Sequence, residues 1–451
     1  LEQKKAHIVS LGCPKNLIDS EVIAAILSRG GFEIIPHPEE ADLILINTCT
    51  FILPAREESI DEIFRMARMK KEGKCKHLVV AGCLPQRYGT ILEQEIPEVD
   101  LFLGTGEIPE IANLIRCLEE GKPVGHRSFI GKPDFLMDSS HSRLISTPSY
   151  SAYLKIAEGC SNHCSYCVIP MVRGRFRSRE MGDILKETRI LAEGGVKEII
   201  ITAQETTAYG RDLKGKPTLA TLMKGIASID GIRWIRLLYT YPATITDEIL
   251  ETIAEEEKIC KYIDIPVQHI DDDILQLMNR KNDSNSIRDV IRKARKIIPG
   301  VALRTSLIVG FPGETSEKFN RLLEFIKETR FDHLGVFKYS QEEGTKAAKL
   351  PCQVSEEEKE ERRNIIMEEQ SIISHEINRS LTGSVHEIMI EEKSDIPGYT
   401  QAGRLRRQSP DIDGVTYVNA QEKMPGDIIN CKITSADEYD IYAEEVAPSQ
   451  S

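Results

Sequence analysis

Cys160, Cys164 and Cys167 stand in the run CSNHCSYC, directly after an apolar stretch that reads as a strand. A loop of this length can turn three thiolates toward one four-iron cubane and leave its last iron without a protein ligand. Thiolates are soft ligands suited to such a cluster. The open iron can chelate the amino and carboxylate groups of S-adenosylmethionine, and one electron then breaks a sulfonium–carbon bond. The resulting radical takes hydrogen from carbon that no side-chain base could deprotonate, so no side chain is expected to act as acid, base or nucleophile. The alternative is structural zinc, which favours four protein ligands; the nearest fourth donor, His163, sits inside the loop. Tyr166, between the last two cysteines, is the aromatic expected beside the cofactor.

Cys13, Cys49 and Cys83 are singletons in SLGCPKN, INTCT and VAGCLP, and each alone would be a buried thiol. Each ends or follows an apolar strand, and in an open parallel sheet the carboxyl ends of the strands form the ligand crevice. Three thiols should therefore converge on one rim, which favours a second cluster with an open iron. Such a cluster can carry sulfide or polysulfide, and a carbon radical made at the first site could attack that sulfur. Cys75, Cys117, Cys260, Cys352 and Cys431 show no such pattern.

Other strand-end residues fit the first pocket. Gly194 and Gly195 could let the backbone approach the methionine end of the cofactor, or merely end a helix. Gln204 and Glu205 close the second strand of the central series, and Asp264, Gln268 and His269 follow a later one. Each either lines the cavity or satisfies a strand end. Arg304 and Thr305 lie on the strand before Ile308–Glu314, and one of them is expected to reach the cofactor carboxylate. The turn itself either bounds the adenosine site or simply opens a helix.

The elements that must hold these residues fall into three groups. The first 128 residues read as alternating strands and helices, a small parallel α/β domain. Residues 129–149 form a Gly-, Pro- and Ser-rich linker, and 150–355 hold six strands with crossover helices, a partial or complete barrel of the TIM type. A charged helix at 356–380 leads to five short strands in 381–451, which fit a closed antiparallel β-barrel of the oligonucleotide-binding kind. A chain of 451 residues is long enough for several cores. With a formal charge of -13 it is a poor nonspecific nucleic-acid coat. No apolar run approaches the roughly 18–20 residues of a membrane span, and the start lacks a signal peptide's apolar stretch, so a cytoplasmic protein is expected.

Across nearly its whole length the chain resembles the methylthiotransferase branch of the radical S-adenosylmethionine superfamily: SLGCPKN, NTC and AGC, then CSNHCSYC, then a TRAM-type barrel, in that order. The resemblance implies two 4Fe-4S clusters, on Cys13, Cys49 and Cys83 and on Cys160, Cys164 and Cys167. It also implies that one S-adenosylmethionine supplies a methyl group to cluster-bound sulfur and a second supplies the radical. RLLYTYP, YIDIPVQHIDDDILQLMNR, the short link between the first two domains and GRLRRQSPDIDGVTYV resemble the group that modifies the β carbon of an aspartate in the twelfth small-subunit ribosomal protein. Gln408 and Ser409 stand where that group usually has aspartate and alanine. The other group modifies adenosine in transfer RNA. From Ser380 onward six basic residues face thirteen acidic ones, a net of -7. That suits a basic ribosomal protein, free or in an assembling subunit, better than RNA, with Arg404, Arg406 and Arg407 as a limited contact to it or to nearby RNA. An external electron donor and a monomer are expected.

Overall fold

A computed structural model describes residues 3–122 and 125–446. The N-terminal sheet has six parallel strands in the spatial order Phe32–Ile34, Lys4–Ser10, Leu43–Thr48, His77–Gly82, Leu101–Leu103 and Ser128–Phe129. Leu43–Thr48 is buried throughout, as its unbroken apolar run requires of a central parallel strand. Three of the six strands are only two or three residues long and carry too little pattern to read. The order in which strands are added to the sheet reverses between Lys4–Ser10 and Leu43–Thr48, so the crevice at the switch point opens beyond the carboxyl ends of these two strands.

The central domain is an open, all-parallel sheet of six strands, Ser151–Lys155, Glu198–Thr202, Trp234–Leu237, Ile259–Asp264, Ala302–Val309 and His333–Lys338, each hydrogen-bonded to the next. The barrel is thus partial. Its outer face packs on the helices through Leu154, Ile199, Leu237 and Ile263. Its concave face joins a second core, where Tyr153, Ile200, Trp234 and Tyr262 meet Ile18 and Val22 of the helix Pro14–Arg29 and Met389 of the C-terminal barrel. Both end domains therefore cover the inside of the open barrel.

Residues 130–150 carry no regular element, yet they clamp rather than hang. The buried Arg143 pairs at 2.6 Å with both Glu21 and Glu187, joining the first helix to the helix Met181–Glu193. The helix Glu356–Ser380 is capped by Ser355, whose hydroxyl accepts the Glu358 N–H at 3.2 Å. Its Arg362 pairs with the buried Glu314 at 2.6 Å.

The C-terminal barrel closes through Val385–Lys393, Gln401–Leu405, Thr416–Asn419, Ile441–Glu445 and Ile428–Ala436. One seam departs from the antiparallel expectation: Thr416–Asn419 and Ile441–Glu445 run parallel, with Tyr417 opposite Tyr442. An odd number of strands cannot close a ring with every neighbour antiparallel, so one such seam is unavoidable.

Arg404, Arg406 and Arg407, expected as a contact patch, make ion pairs within the molecule, and only Arg404 is buried. Arg404 is buried and bonds Glu198 and Glu391; Arg406 pairs with Glu387 and reaches the Glu257 carbonyl; Arg407 pairs with Asp332. These guanidinium groups fasten the C-terminal barrel internally and to the central domain. Arginine clusters read the same in sequence whether their carboxylate partners lie inside the molecule or outside it.

Candidate active site

The loop of the first cysteine set leaves the strand Ala157–Glu158 through Gly159, whose φ is +78°. A side chain there would meet the Arg175 carbonyl at 2.2 Å, so only glycine fits. Cys160 N–H then donates to the Gly174 carbonyl at 3.1 Å, and Ser165 is fixed by its N–H to Met278 O at 2.9 Å and its hydroxyl to Leu277 O at 2.7 Å. Asn162 spans the loop, its amide donating to Glu205 at 2.6 Å. The Arg280 guanidinium lies against the Cys164 thiol, 4.4 Å from the Tyr241 ring centroid.

Burial is the largest influence on the Cys160 thiol, and with neighbouring Glu205 and Cys164 it pushes the group up to about 11. Cys167 is raised for the same leading reason, with Cys164 and Cys160 adding to it. Neighbouring thiolates on a half-buried loop repel one another and are stable only against compensating cations, which is what iron supplies. Among the described residues no three His, Cys, Asp or Glu side chains close round a single ion. A cubane holds its thiolates farther apart than one ion does, and the donor set fits the cluster.

The second set converges as its strand positions require. Cys13 precedes the helix Pro14–Arg29, and Cys83 opens the helix Cys83–Glu95, so both thiols sit at helix N-termini that favour an anion. Cys49 follows Leu43–Thr48, its N–H donating to Ser59 Oγ at 3.1 Å. Gly12, at φ +91°, lets the first loop pass; a Cβ there would meet the Cys49 Cβ at 2.7 Å. Asn16 ties the loops together by donating to Leu11 O at 3.0 Å and Thr48 O at 2.9 Å, while its Oδ1 faces Cys83 Sγ at 3.7 Å. Burial lifts Cys83 to about 12. For Cys13 burial is outweighed by Lys15 and Arg173, and its thiol falls below the ordinary value.

The two sets are joined by buried charge. Arg173 Nε donates to Cys83 Sγ at 3.3 Å, and the same guanidinium reaches Asp19 at 2.5 Å and Glu158 at 3.5 Å. Lys155 completes the quartet, pairing with Asp19 and with Glu158 at 2.8 Å. Gln204 donates its amide to Glu158, next to the first loop.

A cavity of about 370 Å³ opens over the first set. Its lining draws on all three domains: Phe51 and Ile52; Cys160, Cys164, Tyr166 and Cys167; and Ile412. Gln204, Glu205, Asp264, Gln268, Arg304 and Ile308 line it as well. The N-terminal side is locked by the buried Glu342, which pairs with Arg56 at 3.2 Å and Arg87 at 2.7 Å. The C-terminal side is locked by Asp413, which accepts from Tyr262 Oη at 2.6 Å and lies 3.4 Å from Arg304 Nε.

Some expected residues lie elsewhere. Gly194 and Gly195 finish the helix Met181–Glu193, with N–H groups donating to Ile190 and Ala192 carbonyls, at the amino end of the strand whose carboxyl end faces the cavity. They serve the helix terminus. Thr305 spends its hydroxyl on the Ile265 carbonyl at 2.8 Å between strands. His269 is fully buried beside Glu314, with Nε2 to Oε2 at 3.3 Å. Conversely Lys15, Asn16, Arg173, Tyr239 and Arg280 stand at the two sets without a signal in the sequence: lone polar residues have no spacing signature, and only SLGCPKN places two of them near one of the cysteines.

The open six-stranded sheet with its cysteine loop is the radical S-adenosylmethionine fold. The chain matches the model of the radical SAM superfamily at residues 154–326, uncharacterized protein family UPF0004 at 5–104 and the TRAM domain at 382–446. Among solved structures, the radical S-adenosylmethionine methyltransferase TsrM of Kitasatospora setae superposes with a TM-score of 0.56 at 14% identity, over 74% of this chain and 73% of that one. The ribosomal protein uS12 methylthiotransferase RimO of Syntrophus aciditrophicus is 60% identical over 99% of both chains, and that of Geobacter sulfurreducens 50% over 99% of both. This chain belongs to the ribosomal protein uS12 methylthiotransferase family.

Proposed function

We propose that the chain transfers a methylthio group to the β carbon of an aspartate in ribosomal protein uS12, in the cytoplasm and as a monomer. The observation that carries this reading is the meeting of two cysteine triads through one buried charge network, with Arg173 touching Cys83 at 3.3 Å and pairing with Glu158, two residues before Cys160. When bound, a cluster on Cys160, Cys164 and Cys167 would supply reductive cleavage of S-adenosylmethionine, and one on Cys13, Cys49 and Cys83 would hold sulfide or polysulfide for transfer.

The chain's own residues do the rest. Tyr166, packed edge-on against Phe311 at 6.4 Å, walls the cavity beside the first triad and excludes water from it. Arg304 lines the cavity with its guanidinium fixed in orientation by Asp264 at 3.1 Å and Asp413 at 3.4 Å, and its remaining N–H groups orient a carboxylate of cofactor or substrate by hydrogen bonding. Gln204 and Asn162 hold Glu158 and Glu205 in place at the loop. The C-terminal barrel, with five of its six basic residues paired to carboxylates of this chain and thirteen acidic residues in all, presents an acidic surface suited to a basic protein substrate.

The test is an anaerobic assay of reconstituted protein with sulfide, S-adenosylmethionine and an external reductant, offered uS12 and unmodified transfer RNA in parallel. A methylthio mass gain on one aspartate, lost in Cys13→Ala and in Cys160→Ala, is expected. The same gain on RNA alone would overturn the substrate assignment.

A further inference from the structure

Two buried cations face the second cysteine triad, and only one is neutralised. Arg173 and Lys155 share Asp19 and Glu158, two cations with two carboxylates. Lys15 has no such partner. It stands two residues after Cys13 and is 6% exposed, and among the described residues no carboxylate lies within ion-pair distance of its ammonium. The ammonium rests 3.3 Å from the centroid of the Tyr239 ring.

An unpaired buried ammonium is costly, and a cation–π contact offsets only part of its desolvation. The ring is itself held in place at a cost. Tyr239 has φ +59°, in the left-handed region that bulky side chains avoid, and its N–H is fixed by Asp264 Oδ2 at 2.9 Å. Since Tyr239 also lines the cavity, Lys15 links the second triad to a residue of the cavity wall. With no carboxylate to claim it, this charge faces the sulfur of the triad, Cys13 first, and any further anion that joins it.

We propose that Lys15 holds an inorganic sulfur anion, hydrosulfide or a short polysulfide, at the open position of the second triad on the side facing the cavity. Three thiolates already concentrate negative charge there, and a further sulfur anion adds to it in a buried site. Arg173 cannot balance that addition, because Asp19 and Glu158 already claim it. The inference rests on the reading of Cys13, Cys49 and Cys83 as cluster ligands.

The test uses full-length protein carrying Cys160→Ala, Cys164→Ala and Cys167→Ala, so that only the second cluster is present. After anaerobic reconstitution and reduction, it is titrated with sodium sulfide and followed by electron paramagnetic resonance. Lys15→Met, at iron content equal to its Lys15 parent, should need about thirtyfold more sulfide or beyond for half-conversion of the spectrum. Lys15→Arg, which keeps the charge, should stay within about threefold of the parent. A Lys15→Met titration that overlays the parent overturns the proposal, as does Lys15→Arg losing binding; where Lys15→Met loads poorly, Lys15→Arg decides. A parent that assembles its cluster yet never responds to sulfide overturns the role of Lys15 alone. A parent that takes up no iron overturns the cluster reading beneath it.

Discussion

Replacing Arg404 with methionine removes one of two guanidinium groups that hold Glu198 in the interface between the central domain and the C-terminal barrel. Glu198 is fully buried, with Arg404 Nη1 at 3.2 Å and Arg236 Nε at 3.0 Å from its Oε1. Burial opposes its charge most strongly, but Arg404 and then Arg236 pull the carboxyl from the ordinary 4.5 to about 2. That gap corresponds to about 3 kcal/mol, in line with the roughly 3–5 kcal/mol lost when one partner of a buried pair is removed. Arg404→Met should therefore raise amide exchange in Gln401–Leu405 and Glu198–Thr202 about a hundredfold, read by hydrogen-exchange mass spectrometry. In a double-mutant cycle, Glu198→Gln with Arg404→Met should cost less than the two single changes added together. Because the folded carboxyl is depressed, its contribution is complete above about pH 4.5 and fades as pH falls toward about 2. Unchanged exchange in Arg404→Met at neutral pH, or strictly additive costs, would refute the reasoning.

Cys13→Ala should lower bound iron yet keep cleavage of S-adenosylmethionine to 5'-deoxyadenosine, whereas Cys160→Ala should abolish cleavage; iron assay and chromatography separate the two. Gly12→Ala brings a Cβ to 2.7 Å from that of Cys49 at a φ of +91°, so iron loading of the second triad should fall while the first is spared. Gly195→Ala, at φ +95° with open space around it, should cost about 1 kcal/mol in stability and leave S-adenosylmethionine affinity unchanged, as calorimetry would show. Ile412→Ala should raise KM for the protein substrate and leave substrate-free cofactor cleavage intact, because Ile412 lines the mouth at 52% exposure without touching a cysteine.

The six cysteines that the fold gathers into two sets stand out in the sequence because each set carries its own signal. One is a dense spacing after a strand, and the other a recurrent place at strand ends in a parallel sheet. The strands of the central domain were legible for the same reason, since buried parallel strands are near-continuous apolar runs. What escaped depends on tertiary placement. Gly194–Gly195 has the composition of a cofactor approach and the geometry of a helix end, and only the strand's direction separates the two. Arg404, Arg406 and Arg407 look like a contact patch until Glu198, Glu387 and Asp332 are seen beside them. Lys15 and Arg173 come from separate domains and meet at the second triad only after the N-terminal sheet docks on the concave face.

That docking also orders events during synthesis. Ile412 lies about 360 residues after Phe51 and is made long after it, yet the two complete one cavity wall. A nascent chain can fold its earlier domains as they emerge, but the reaction chamber remains open on one side until the last barrel closes. A chamber walled by all three domains therefore exists only once the C-terminal barrel has docked.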